Sequence, residues 1–181
     1  AGPVATASSN SPICTGSAIN LSATGGSSYT WSGPNGFSST QQNPVLANAT
    51  AAMSGTYSVT VTGANGCVSV ATTSVVINAG PVATASSNSP ICTGSAINLS
   101  ATGGSSYAWS GPNGFTSTQQ NPVITNATAA MSGTYSVTVT GANGCVSVAT
   151  TSVVINAGPV ATASSNSPIC TGSAINLSAT G

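Results

Sequence analysis

Ser54-Gly55-Thr56-Tyr57-Ser58-Val59-Thr60-Val61-Thr62-Gly63-Ala64-Asn65-Gly66-Cys67 is the stretch on which the fold turns. Tyr57, Val59 and Val61 take every second position and hydroxyl residues the positions between, which predicts a β-strand with one dry face. Gly63-Ala64-Asn65-Gly66 then supplies a turn in which Asn-Gly accepts positive φ, so the strand folds back into the run that starts at Val68. Upstream, Ile19, Leu21 and Ala23 alternate with Asn20 and Ser22, and Gly33-Pro34-Asn35-Gly36 provides a second hairpin turn. On the last run Val68 and Val70 share one parity while Val75 and Ile77 share the other, which predicts a bulge between Ala71 and Ser74. Nothing recurs at helical spacing. Short strands separated by turns, with no helix between them, predict an all-β fold built as an antiparallel sandwich.

That pattern occurs more than once. The string AGPVATASSNSPICTGSAINLSATGG begins at Ala1 and at Ala79, and all but its last glycine begins again at Ala157, giving a period of 79 − 1 = 78 residues. Residues 1–78 and 79–156 are whole repeats, and 157–181 is the truncated start of a third. The whole repeats differ only at Thr30/Ala108, Ser38/Thr116, Leu46/Ile124 and Ala47/Thr125. A unit of this size is too long for a solenoid coil and suits one small domain, so the chain reads as tandem beads. Pro81 fixes φ in the short Asn78-Ala79-Gly80-Pro81 junction, from which limited bending is expected. Residues 157–181 lack the Trp, the Tyr motif and a second cysteine, so further strands, in cis or in trans, are needed to complete a sandwich there.

The chain has no Lys, Arg, Asp, Glu or His. Nucleic acid is excluded as a partner, because nothing can neutralise phosphates. Catalysis is not expected: general acid–base work and hydrolytic metal sites need the missing side chains, and a hydroxyl without a base is a weak nucleophile. No cofactor or metal is expected either. No run of apolar residues is long enough to cross a membrane, and no export signal opens the chain, which therefore reads as an internal segment. Fixed charges would make contacts between copies depend on ionic strength, and neutral beads avoid that. Zero net charge also promotes association. The expected partner is accordingly another copy of the chain, in a multistranded filament held by Ser, Thr, Asn and Gln hydrogen bonds and small apolar patches.

Ser54-Gly55-Thr56-Tyr57-Ser58-Val59 resembles the SGTYxC segment that opens strand F of immunoglobulin domains, and Trp31 sits where their strand C tryptophan does. Trp109 and Tyr135 repeat Trp31 and Tyr57 as core markers, and Val59 and Ala23 fall at the two places of the usual core disulfide. The whole repeat, with SPICTGSAINLSATGGSSYTWSGPNGFSST and SGTYSVTVTGANGC, resembles the immunoglobulin-like and PKD-like tandem repeats of giant secreted Bacteroidota surface adhesins. The resemblance implies immunoglobulin-like sandwiches in a secreted, extracellular appendage for attachment, gliding or prey capture, exported by type 9 secretion. Gly63 stands where that family commonly has an acidic residue, and Met53 where it has aspartate, so the family's calcium chemistry does not carry over.

Cys14 and Cys67 recur as Cys92 and Cys145, and Cys170 is left without a partner in the segment. Pairing within each repeat, Cys14 with Cys67 and Cys92 with Cys145, is expected, because a small secreted domain gains most from an internal staple. A closed loop of this length contributes roughly 4 kcal/mol in the chain-entropy account. The alternative, Cys67 with Cys92, would tie repeats together. Two thiols without His do not complete a zinc site.

The sequence therefore points to a structural segment of a filament or adhesin stalk whose tip lies in domains outside it and meets glycans or another cell surface. A neutral-glycan platform of Trp31, Tyr29 and Phe37 is the alternative function, weighed against the reading that these rings are core. An ice-binding or amyloid-like surface is a third class, raised by Thr-rich strands without gatekeeper charges.

Overall fold

The computed structural model describes residues 2–181. Among them the first repeat runs through β1 (Thr6–Ser9), β2 (Ile13–Cys14), β3 (Ile19–Thr24), β4 (Ser28–Ser32), β5 (Ser38–Ser39), β6 (Val45–Leu46), β7 (Gly55–Thr62), β8 (Val68–Val75) and β9 (Ile77–Asn78). The order β1-β3-β6 makes one sheet and β5-β4-β7-β8 the other, both antiparallel. A short parallel pair, β2 with β9, matches Ile13 to Ile77 and Cys14 to Asn78. This is an immunoglobulin-like β-sandwich, and the period-two pattern accounts for it. Ile19, Leu21 and Ala23 on β3 and Trp31, Tyr57, Val59 and Val61 on β4 and β7 turn inward into one buried cluster.

The two glycine turns close the hairpins. Asn35 at φ 58° and Gly36 at φ 71° turn β4 into β5, with the Gly33 amide donating to the Phe37 carbonyl at 3.0 Å. Gly66 at φ 76° turns β7 into β8, with the Gly63 amide donating to Cys67. Polar groups near the core are paired. The Tyr57 phenol donates to the Met53 carbonyl at 2.9 Å, the Trp31 indole N–H to the Gln42 carbonyl at 3.3 Å, and the Gln42 amide to the Ala23 carbonyl. Among the described residues no buried side-chain nitrogen or oxygen lacks a partner.

The expected bulge between Ala71 and Ser74 is absent. β8 pairs with β7 in unbroken register from Gly55↔Val75 to Thr62↔Val68. The parities are reconciled by exposure instead: Val68 and Val70 stand on the outer face, 61% and 62% exposed, while Val75 is buried. The chain then breaks at Val76, whose amide donates to Ser11 Oγ, and β9 exchanges β7 for β2 as its neighbour.

The second repeat reproduces this order in β10 (Thr84–Ser87), β11 (Ile91–Cys92), β12 (Ile97–Thr102), β13 (Ser106–Ser110), β14 (Thr116–Ser117), β15 (Val123–Ile124), β16 (Gly133–Thr140), β17 (Val146–Val153) and β18 (Ile155–Asn156). Compact units do not coincide with the repeats. One contains Ala1–Val82, Gly103–Ser106 and Val139–Ser147, and the other Ala83–Thr102, Tyr107–Thr138 and Val148–Gly181. The second unit also holds β19 (Thr162–Ser165) paired antiparallel with β20 (Leu177–Thr180). Among the described residues no second sheet covers this pair, and Leu177 is exposed where its counterparts Leu21 and Leu99 are buried.

Candidate functional site: a disulfide in the first compact unit

Strand register determines where each cysteine stands. Because β2 runs parallel to β9, Cys14 lies beside Asn78, the last residue of its repeat, and the Thr15 amide donates to the Asn78 carbonyl at 2.9 Å. Cys67 lies at the other end of β8, at the hairpin turn from β7. β8 has eight residues, so it alone spans about 26 Å, and a disulfide needs Cα atoms within about 7 Å. The expected bond from Cys14 to Cys67 is therefore not formed, and neither is Cys92 to Cys145 or Cys67 to Cys92. Cys14 is bonded instead to Cys145, with Cα atoms 5.6 Å apart and 131 residues between them in sequence.

Local contacts bring that pair together. Residues 139–147, the turn from β16 to β17, belong to the same compact unit as Cys14. Asn143 holds this turn in two directions: its side-chain amide donates to the Ala79 carbonyl at 3.0 Å, and its Oδ1 accepts from the Cys145 amide at 3.1 Å. Ala79 follows Asn78 directly in the chain, so Cys145 is anchored one peptide away from the residue that Cys14 flanks. Its sulfur lies 3.7 Å from the Asn78 carbonyl oxygen. Gly80 permits the approach, since a Cβ there would run into the Val146 carbonyl and the Ser147 hydroxyl. Cys67, Cys92 and Cys170 are free and exposed. Eleven positions separate Cys67 from Asn78 (78 − 67), so once β9 sets Asn78 beside Cys14 the Cys14–Cys67 bond is excluded, too much extended chain lying between for one bond to span.

The aromatic residues go to the core. Trp31 is 0% and Trp109 2% exposed, and Tyr57 and Tyr135 are buried. Phe37 meets the Tyr57 ring edge-on at 5.5 Å between centroids, and the Tyr29 hydroxyl donates to the Gly26 carbonyl. A sugar platform centred on Trp31 is thus unavailable, because its ring has no free face. In the second repeat Pro112, Phe115, Ile124, Met131 and Tyr135 line a cleft of about 160 Å³, below the roughly 300 Å³ at which small-molecule pockets begin. Among the described residues no three of His, Cys, Asp or Glu come together as metal ligands would.

No protein-family model matches the chain, and no curated protein does. Solved structures with a similar course include the three N-terminal domains of the highly immunogenic outer capsid protein (Hoc) of bacteriophage RB49. That likeness has 19% identity and a TM-score of 0.45, over 98% of this chain and 68% of that one. Murine CEACAM1b is similar at 10% identity and a TM-score of 0.40, over 84% of this chain and 99% of that one. The N-terminal four Ig domains of Dscam1 isoform 9.44 give 16% identity and a TM-score of 0.35, over 86% and 46%.

Proposed function

We propose that the chain is a structural segment of a long extracellular filament or adhesin stalk, a Bacteroidota-type appendage for attachment, gliding or prey capture that presents an adhesive tip formed elsewhere. The observation that carries this reading is the Cys14–Cys145 bond, which ties residues of consecutive near-identical sandwiches. Such a bond serves a protein that bears tension, and disulfides persist in oxidising surroundings outside the cytosol. The chain does no chemistry on a substrate in this reading. Its partners are further copies of itself, meeting through uncharged faces such as the outer side of the β4–β7–β8 sheet, where Thr30, Thr60, Thr72, Val68 and Val70 are presented.

Antibody raised against the repeat, imaged on native cells by immunogold electron microscopy, tests the assignment. Label along surface filaments is the expected result, and label confined to the cell interior overturns it. Filaments followed from low salt to molar sodium chloride test the mode of assembly. Neutral contacts hold throughout the series, whereas bundles bound by charged partners loosen as salt screens them.

A further inference from the structure

Cys92 repeats the setting of Cys14. It lies on β11, paired in parallel with β18 so that Cys92 matches Asn156, and the Thr93 amide donates to the Asn156 carbonyl at 3.0 Å. Cys67 repeats the setting of Cys145. Asn65 Oδ1 accepts from its amide at 3.2 Å, and the Gly63 amide donates to its carbonyl at 2.8 Å, as Gly141 does to Cys145. Both thiols are exposed. The chain thus carries one closed copy of the bond and unpaired halves of it: one cysteine of the Cys145 type, Cys67, and two of the Cys14 type, Cys92 and Cys170, the latter in the truncated third repeat.

We propose that Cys92 and Cys67 are such halves in use: Cys92 bonds the hairpin cysteine of a repeat that follows it in the same chain, and Cys67 bonds the β2-type cysteine of a repeat that precedes it. Formation is thiol–disulfide exchange. The two thiols lose two protons and two electrons to a small disulfide such as oxidised glutathione, whose own S–S bond is reduced to two thiols as the protein bond forms. The topological consequence distinguishes this pattern from staples within repeats. Cys92 lies inside the loop closed by Cys14 and Cys145, so a loop from Cys92 into the following repeat overlaps the first. Beyond Cys14 every peptide bond is then enclosed by at least one loop, and no single cut severs the chain. Staples within repeats would leave each stretch corresponding to 68–91 enclosed by none.

The test uses a chain lengthened past Gly181 by a copy of residues 104–156, which completes the third repeat. Near-identical peptides make ordinary mapping blind to which repeat a cysteine came from, but the chain has no Lys or Arg. Val160→Lys, at a residue 83% exposed, therefore creates the sole tryptic site. After folding with reduced and oxidised glutathione and cleavage by trypsin, the two fragments stay joined on non-reducing gels and separate with reductant if Cys92 reaches the added hairpin. Separation without reductant overturns the proposal, because the added cysteine would then have bonded Cys170 or nothing. Adding Cys92→Ser, an exposed position, releases the fragments. Fragments that stay joined in that variant would also overturn it, since some other cysteine would be making the bond. Circular dichroism of each variant confirms folding, and Val160→Lys in the unextended chain gives the position of the free fragment.

Discussion

Cys14 and Cys145 are bonded to each other although one belongs to the first sequence repeat and the other to the second. Their bond encloses the whole segment between the repeats, which a bond from Cys14 to Cys67 would leave outside. Val82 lies in that segment, is 84% exposed and precedes β10. Val82→Lys gives the 181-residue chain one tryptic site. Trypsin is expected to produce a nicked protein that migrates as one species without reductant and as two with it. Two species without reductant would contradict the Cys14–Cys145 pairing.

The Tyr57 phenol donates to the Met53 carbonyl at the entry to β7, and Tyr135 does the same with Met131. Tyr57→Phe keeps the ring in the core and removes only the donor, leaving the carbonyl unpaired. A loss of about 1–2 kcal/mol is expected, read as a lower denaturant midpoint with an unchanged slope. A variant as stable as the parent would show that this hydrogen bond contributes nothing net.

Gly33 sits against the face of Tyr57, where a Cβ would strike the ring carbons Cδ1 and Cε1. Its φ of −170° is open to any residue, so the restriction is steric and lies in the core. Gly33→Ala is expected to cost about 1–3 kcal/mol, as overpacking does. The double variant Gly33→Ala/Tyr57→Leu removes the ring that clashes, so the cost of the alanine should fall in that background. Equal costs in both backgrounds would place the effect elsewhere.

Much of the sandwich is legible in the sequence because one-sided burial writes a period of two. Ile19, Leu21, Ala23, Tyr57, Val59 and Val61 alternate in the sequence and are all buried. Val68 and Val70 mislead for the same reason: valine suits any strand, and on β8 these two face outward, so parity alone calls for a bulge that the register excludes. The cysteine pairing is hidden more deeply. Period two locates a residue on a face of a strand, whereas disulfide partners depend on which end of the strand each residue occupies. That depends in turn on the parallel pairing of β2 with β9, a contact between segments more than sixty residues apart (77 − 13 = 64).

Stability should respond to alkali and hardly to mild acid. With no Asp, Glu or His in the chain, no side-chain carboxylate or imidazole binds protons differently in the folded and unfolded states, so the melting temperature should stay level between about pH 4 and pH 7. Burial pushes the phenols of Tyr57 and Tyr135 above the ordinary value of 10.0, because the charged form loses its hydration in the core. In the unfolded chain they ionise near that ordinary value. Above about pH 10 the folded state therefore holds more protons than the unfolded state, and stability falls with rising pH. The contribution is fully present below the unfolded value and is lost as pH rises through the folded one. Melting temperatures measured from pH 9 to pH 12 should decline, and the double variant Tyr57→Phe/Tyr135→Phe, though less stable at neutral pH, should decline less steeply. A parent and a double variant with parallel profiles would show that ionisation of these two buried phenols does not drive the alkaline transition.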